Sequence, residues 1–108
     1  MSRTVVLTDG AARDLDEVYA AAYDQGGAAE ANRMLDRIEV AFEWLRERAE
    51  RGEPLVALRD LGMRDARQLR LEGVRMVYRV LDDDVHIVSL AQRDRSIQAL
   101  LQRRMLDA

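Results

Sequence analysis

Residues 74–81 read VRMVYRVL, a pattern of residue types with a period of two. In an extended strand, Met76 and Tyr78 fall on one face, and Arg75 and Arg79 fall on the other. An apolar face backed by a basic face is typical of a strand that covers a core on one side only. This segment therefore predicts the central strand of an antiparallel sheet.

Turn signals flank this strand on both sides. Glu-Gly at 72–73 precedes it and three aspartates at 82–84 follow it. Beyond these turns, residues 67–71 and 85–90 also show the period of two or the β-branched composition of strands. The three segments together predict a three-stranded antiparallel meander with tight turns.

The first half of the chain has a different periodicity. Residues 4–7, TVVL, predict a first strand, and Thr8 or Asp9 is suited to cap a following helix. Gly26 and Gly27 predict its end, and a second helix is predicted from about 28 to 51, before Gly52. The apolar positions that recur at helical spacing are Ala11, Leu15, Val18 and Ala22 in the first helix and Ala31, Leu35, Ile38, Phe42, Leu45 and Ala49 in the second.

These elements predict one α+β domain over residues 1–108. Two helices joined by two glycines are expected to pack as an antiparallel hairpin, which would cover one face of the sheet. The first strand would join the meander and complete a four-stranded sheet. A final helix is predicted from near Asp94, and its apolar residues Ile97, Leu100 and Leu101 would dock it on the sheet.

Composition excludes several classes of function. The 108 residues include no cysteine, and all 17 basic residues are arginine, so no thiolate metal site, lysine Schiff base or P-loop lysine is available. The glycine spacing matches no phosphate-binding motif, and we expect no cofactor and no metal site. The chain has no apolar run long enough to cross a membrane and no signal-peptide pattern, which predicts a cytoplasmic protein.

The arginines are the candidate binding residues. Residues 1–60 contain 8 arginines and 13 acids, whereas residues 61–108 contain 9 arginines and 7 acids. Guanidinium groups bind phosphate or carboxylate, so an anionic partner would meet the second half of the chain. An open sheet face is predicted to bind a partner through Arg67, Arg70, Arg75 and Arg79, and a target-binding surface near the C-terminus is predicted to contain Arg93, Arg95, Arg103 and Arg104. The alternative is that these side chains form ordinary surface ion pairs. The single histidine, His86, has no partners for a catalytic triad or metal site and is interpreted as structural.

Four segments resemble the RelE/ParE superfamily of bacterial toxins. They are RDL at 13–15, GVRMVYRV at 73–80, QRD at 92–94 and ALLQRRM at 99–105. The last of these is similar to ParE members in particular. The resemblance covers nearly the whole chain and implies the toxin of a type II toxin–antitoxin module. It also implies a ParD-like antitoxin as partner, in a hetero-oligomer.

The branch of the superfamily determines the implied activity. RelE-like members cleave messenger RNA on the ribosome, which requires groups that accept and donate a proton, whereas ParE-like members inhibit DNA gyrase. This chain has no lysine, has Ala99 about where RelE-like toxins often carry a tyrosine, and has Gln92 where a histidine is frequent. These residues therefore favour a protein that is not a nuclease, and the resemblance alone implies DNA gyrase as its target. No sequence-specific nucleic-acid binding is expected. A RelE-like ribonuclease and a domain that has lost toxicity remain alternatives.

Overall fold

The computed structural model describes residues 2–56, 62 and 65–92. The elements, in chain order, are β1 (Thr4–Leu7), α1 (Asp9–Arg48), a 3₁₀ helix (Ala49–Arg51), β2 (Glu53–Pro54), β3 (Ala66–Leu71), β4 (Val74–Leu81) and β5 (Asp84–Gln92). No helix among these residues combines the length and the apolar character that crossing a bilayer needs. The predicted C-terminal helix lies outside the described residues.

The five strands form one mixed sheet in the order β1-β5-β4-β3-β2. β1 pairs with β5 in parallel, and the other neighbours are antiparallel. The prediction of a four-stranded sheet is therefore wrong. The strand that it missed is β2, whose two residues are too few to show any periodicity. Pro54 is tolerated there because β2 is an edge strand, where a missing N–H breaks no ladder.

Helix α1 corrects the prediction of a two-helix hairpin. It runs as one 40-residue helix from Asp9 to Arg48, and only Gly26 and Gly27 have non-helical backbone angles. Gly27 has a φ of 72°, a region that glycine enters without a Cβ penalty. A straight helix of this length would span about 60 Å, but the largest extent of the molecule is 38 Å. The glycine pair is therefore a sharp kink inside one helix rather than a loop between two.

The core lies between α1 and one face of the sheet. Both halves of α1 contribute to a single cluster of buried side chains. The kink therefore allows both halves to pack against the same face of the sheet. The members from α1 are Ala11, Val18, Ala22, Ala31, Met34, Ile38, Ala41 and Leu45, and those from β4 and β5 are Val74, Met76, Tyr78, Val85, Ile87 and Leu90. Burial of this apolar surface is the main stabilising contribution to the fold.

The start of α1 is attached to the sheet by its N-cap. Thr8 Oγ1 accepts a hydrogen bond from Ala11 N at 3.1 Å and donates one to the carbonyl oxygen of Ile87 at 3.0 Å. The backbone N–H of Thr8 donates to the same carbonyl at 3.1 Å. One residue therefore caps the helix and fixes its position against β5.

A β-bulge interrupts the pairing of β4 with β5. Val77 lies opposite Ser89 and Tyr78 lies opposite Ile87, so Val88 has no residue opposite it. The extra residue bends β5 and removes local backbone groups from the ladder. Directly after the bulge, Ser89 Oγ and Leu90 N donate hydrogen bonds to Asp14 of α1.

Candidate functional site

The structure places the four predicted sheet arginines on both faces of the sheet. Arg70 on β3 lies directly opposite Arg75 on β4, and Arg79 lies further along β4 with its side chain on the same face. Arg67 lies opposite Tyr78, on the face that α1 covers. Three of the four arginines therefore share a face, and Arg67 belongs to the core side.

The guanidinium groups of Arg67, Arg70 and Arg79 contact identified acceptors within the chain. Arg67 Nη1 donates to the carbonyl oxygen of Gly52 at 2.8 Å, and Arg79 Nε donates to Asp65 Oδ1 at 3.0 Å. Arg70 Nη2 lies 3.3 Å from Glu53 Oε2, and both of these side chains are exposed. Exposed ion pairs of this kind contribute little to stability, so Arg70 is able to exchange Glu53 for an anionic partner at small cost.

The face that carries Arg70, Arg75 and Arg79 is buried at its centre. Val77 is 1% exposed and Gln68 is 4% exposed, although both side chains point away from the α1 core. The predicted open face is therefore not a bare sheet. Its accessible part is a border of guanidinium groups, of which Arg70 is the most exposed.

Tyr78 is the centre of the contacts on the core side. It is 0% exposed, and its hydroxyl donates to the carbonyl oxygen of Ala49 at 2.6 Å. The hydroxyl also lies against the Cα of Gly52, where a Cβ would collide with it. Together with the bond from Arg67 to Gly52, these contacts hold the end of the helical region against β3 and β4. Tyr78 is therefore a structural residue in this protein.

The environment of Tyr78 raises the pKa of its phenol above the ordinary value of 10.0. Burial is the main cause, because it disfavours the charged phenolate. The positive charge of Arg67 and a backbone hydrogen bond at Gly52 act in the opposite direction and offset only part of the effect. Tyr78 therefore keeps its proton at any physiological pH.

We expect the free energy of unfolding to fall as the pH rises above about 10. The unfolded chain releases the Tyr78 proton at its ordinary pKa, whereas the folded chain holds it to a higher pH. The contribution is complete below pH 10 and is lost as the pH rises through the folded-state pKa. Urea unfolding between pH 8 and 11 measures this slope. The chain has no lysine and three tyrosines, so few side chains titrate in this range.

Tyr78→Phe is the matched variant for this measurement. It removes the titrating group, so its stability is expected to decline less steeply above pH 10 than that of the wild type. The comparison uses the slope rather than the absolute stability, because the variant also loses the bond to Ala49. An unchanged slope would contradict the role assigned to Tyr78.

His86 lies on the other face of the sheet from Tyr78. It is half-buried on β5, opposite Arg79, and its Nε2 lies 3.9 Å from Asp84 Oδ2. That distance is too long for a hydrogen bond. Among the residues that the structure describes, no group of three or more metal-ligating side chains is present.

Asp14 is a polar residue in the core whose role the sequence did not reveal. Its side chain is 6% exposed, and Oδ2 accepts hydrogen bonds from Leu90 N at 3.1 Å and from Ser89 Oγ at 3.2 Å. These donors belong to the bulged part of β5, so the carboxylate binds a backbone N–H next to the bulge. A signal was present, because Asp14 lies three residues after Ala11 and four before Val18, on the buried face of α1.

The second predicted set of arginines cannot be placed. Arg93, Arg95, Arg103 and Arg104 lie outside the described residues, immediately beyond the end of β5 or further along the chain. Strand β5, whose residues Ser89 and Leu90 bind Asp14, ends at Gln92, directly before Arg93 in the sequence.

Comparison with known proteins identifies the family. The family model described as the ParE toxin of the type II toxin–antitoxin system parDE matches residues 5–97. This chain belongs to the ParE toxin family. The match includes β1, α1, the whole sheet and the first arginines beyond it. The superfamily and the ParE-like branch predicted from the sequence are thereby confirmed.

Solved structures share the fold of this ParE-family toxin. A chain of the chromosomal ParDE toxin–antitoxin system from P. aeruginosa matches with a TM-score of 0.68 and 22% identity, over 84% of this chain and 96% of that one. A chain of the RelBE2 toxin–antitoxin complex from Mycobacterium tuberculosis matches with a TM-score of 0.60 and 26% identity, over 88% and 95%. A mutant of the E. coli toxin RelE in the free state matches with a TM-score of 0.51 and 20% identity, over 95% and 98%. No curated protein matches the sequence.

Proposed function

We propose that this ParE-family toxin inhibits DNA gyrase by binding it, and that a cognate antitoxin neutralises it. Membership of the ParE family supports the first part, because ParE-like toxins are the gyrase inhibitors of the superfamily. The two similar toxin–antitoxin systems from P. aeruginosa and M. tuberculosis support the second part. The expected assembly with the antitoxin is a hetero-oligomer.

The burial of Tyr78 is the observation that favours gyrase inhibition over RNA cleavage. Attack by a 2′-hydroxyl on a phosphate needs one group that takes a proton and one that gives a proton, both within hydrogen-bond reach of the substrate. Tyr78 has no exposed surface and its hydroxyl is bonded to Ala49. RNA therefore has no access to it without unfolding of the core.

Neither the histidine nor the described arginines can take the place of Tyr78 as a proton-transferring group. His86 lies on the opposite face of the sheet, so the two residues cannot act on one phosphate. Arginine keeps its proton at all physiological pH values and stabilises charge without transferring a proton. The guanidinium groups of Arg70 and Arg79 are therefore suited to holding an acidic surface of a protein partner, which is what an inhibitor that binds its target requires.

Plasmid supercoiling by purified gyrase tests the proposal. We expect the purified chain to inhibit supercoiling in a concentration-dependent manner, and the antitoxin encoded beside it to relieve the inhibition. A translating ribosome system supplied with the same protein is expected to yield uncut messenger RNA. Cuts in the codon of the ribosomal A site, together with full gyrase activity, would replace this proposal with the ribonuclease alternative. Inactivity in both assays of folded protein would indicate a domain that has lost toxicity.

The double variant Arg103→Ala with Arg104→Ala locates the target surface within the same assay. We expect it to inhibit gyrase at least tenfold less well, because an arginine buried at an interface contributes about 2 kcal/mol or more. Its melting temperature and antitoxin binding are expected to stay near those of the wild type, since surface substitutions cost within about 0.5 kcal/mol. Arg13→Ala with Arg48→Ala removes the same charge from two exposed positions of α1 and is the control. Equal inhibition by the two double variants would exclude Arg103 and Arg104 from the target surface.

A further inference from the structure

The second half of α1 has an exposed face centred on Val40. This side chain is 69% exposed, the largest fraction among the large hydrophobic side chains of the described residues. At 3.6 residues per turn, several residues before and after Val40 point within about 60° of it. They are Arg33, Asp36 and Arg37 on the N-terminal side and Glu43, Trp44 and Glu47 on the C-terminal side. We refer to these seven residues as the Val40 face.

The charges on the Val40 face are divided between its two ends. Arg33 and Arg37 outnumber Asp36 at the N-terminal end, which carries a net positive charge, and Glu43 and Glu47 make the C-terminal end acidic. A face of this kind repels a parallel copy of itself and attracts an antiparallel one. It is therefore self-complementary about a two-fold axis through Val40.

Under this two-fold axis, each arginine of the Val40 face in one copy lies opposite a glutamate in the other. In an antiparallel pair centred on Val40, a residue n positions before Val40 faces the residue n positions after it on the second copy, as an isologous interface requires. Arg33 then faces Glu47, and Arg37 faces Glu43. Each contact occurs twice, so four opposite-charge pairs surround the contact between the two Val40 side chains.

The third pair of positions is also complementary. Asp36 faces Trp44 under the same axis. Trp44 packs partly against the core, and its indole N–H donates to no acceptor among the residues that the structure describes. The carboxylate of Asp36 is exposed and has no ion pair among those residues. An indole N–H is a donor and a carboxylate is an acceptor, so the second copy would satisfy both groups.

The surface beside Val40 is concave on both sides. A shallow, open depression of about 440 Å³ lies beside Val40 and Leu71, and another of about 560 Å³ lies beside Val40 and Phe42. A side chain projecting from a second helix needs such depressions to pack closely. Several of these side chains already form ion pairs: Arg33 with Glu30, Arg37 with Glu30 and Glu72, and Glu43 with Arg46. The two pairs of Arg37 are long, at 3.6 and 3.7 Å, and surface pairs of this kind contribute little, so they oppose the dimer only weakly.

We propose that the Val40 face is a homodimer interface in which two copies of α1 pack antiparallel about Val40. Residues 33–47 span about 22 Å of helix. A contact of this length buries less than the 1,200–2,000 Å² or so of a stable interface, so the dimer is weak and forms at micromolar or higher concentration. The proposal is independent of the toxin's target.

Sedimentation equilibrium tests the proposal with two single charge reversals. The wild type, with a monomer mass of 12.3 kDa, is expected to shift to twice that mass between about 1 µM and 1 mM, the range of weak interfaces. Arg33→Glu and Glu47→Arg each turn two attractive contacts into repulsive ones. Each variant alone is expected to dimerise at least about tenfold more weakly than the wild type.

An equimolar mixture of the two variants is the decisive sample. One chain then carries acids at both positions and the other carries arginines at both, so the mixture is expected to regain dimers that neither variant forms alone. Asp16→Arg, an exposed charge reversal in the first half of α1, is the control and is expected to dimerise like the wild type. A wild type that stays monomeric at about 1 mM, or dimers that persist in both variants, would overturn the proposal. If the wild type is monomeric and added antitoxin covers Val40, the Val40 face binds the antitoxin and not a second copy.

Discussion

Gly52→Ala is expected to destabilise the protein by about 3 kcal/mol, near the upper end of the cost of overpacking a core. Gly52 is buried and has extended backbone angles of φ −65° and ψ 159°, which any residue adopts. Glycine is therefore required here because there is no room for a Cβ, and not because of the backbone conformation. A Cβ at this position would meet the hydroxyl of Tyr78 and lie 2.7 Å from Tyr78 Cζ. Neither group can move away, because Tyr78 is 0% exposed and bonded to Ala49.

Thermal unfolding measures this effect and identifies its cause. A loss of 3 kcal/mol corresponds to a fall in melting temperature of roughly 12 °C for a domain of this size. In a Tyr78→Phe background the hydroxyl is absent, so Gly52→Ala is expected to cost less there than in the wild type. A double-mutant cycle gives this coupling directly. Additive effects of the two substitutions would show that the collision with the hydroxyl is not the cause.

Asp14→Ala is expected to destabilise the protein by a similar amount, about 3 kcal/mol, because a buried donor left without an acceptor keeps its full desolvation cost. The donor in question is Leu90 N–H, which lies near the bulge in β5 and donates to Asp14 Oδ2 at 3.1 Å. Ser89 Oγ loses its acceptor at the same time. Asp14→Asn retains one acceptor oxygen and is expected to cost less than half as much.

Urea unfolding of Asp14→Ala beside Asp16→Ala isolates the effect of the buried carboxylate. Asp16 lies on the same helix and is exposed, so its removal is expected to change stability by less than about 0.5 kcal/mol. Hydrogen exchange at Leu90 adds a local measure, since this amide is expected to lose protection first. Equal stabilities of the two variants would contradict the assignment of Asp14 as the acceptor that holds the bulge.

The strands were predictable where one side of the sheet is apolar. The alternation over 74–81 coincides with β4 at Val74–Leu81, and residues 4–7 coincide with β1. β2 was not predictable, because two residues ending in Pro54 carry no pattern and gain strand structure only from pairing with β3. The parallel pairing of β1 with β5 also leaves no local trace, since it depends on contacts between the two ends of the described chain.

Helix α1 shows the limit of glycine as a signal for the end of a helix. Gly26 and Gly27 do leave helical geometry, as their conformational freedom suggests, but the next residue resumes the helix at once. Whether two glycines form a loop or a kink depends on how the flanking turns pack. The core residues from both halves of α1 pack in a single cluster, and that tertiary requirement sets the angle of the kink.

The contacts of the candidate site were less predictable than its residues. Arg67 and Arg70 look equivalent in the sequence, yet Arg67 bonds to buried Gly52 while Arg70 is exposed beside Glu53. The difference arises from the pleat of β3, which sends alternate side chains to opposite faces. Asp14 was not predicted because its role depends on a hydrogen bond from Ser89, which lies 75 positions later in the chain.

The pairing of β1 with β5 also affects the order in which the molecule can assemble on the ribosome. Thr4 pairs with Asp84, 80 positions further along the chain. At a synthesis rate of roughly 5–20 residues per second, β1 waits about 4–16 s for its partner strand. During that interval the apolar side of α1 has no β5 to cover it, and contacts of such long range are slow to form. A nascent chain therefore passes its most aggregation-prone stage before β5 emerges, and every surface that depends on the five-stranded sheet is acquired only after β5 has been synthesised.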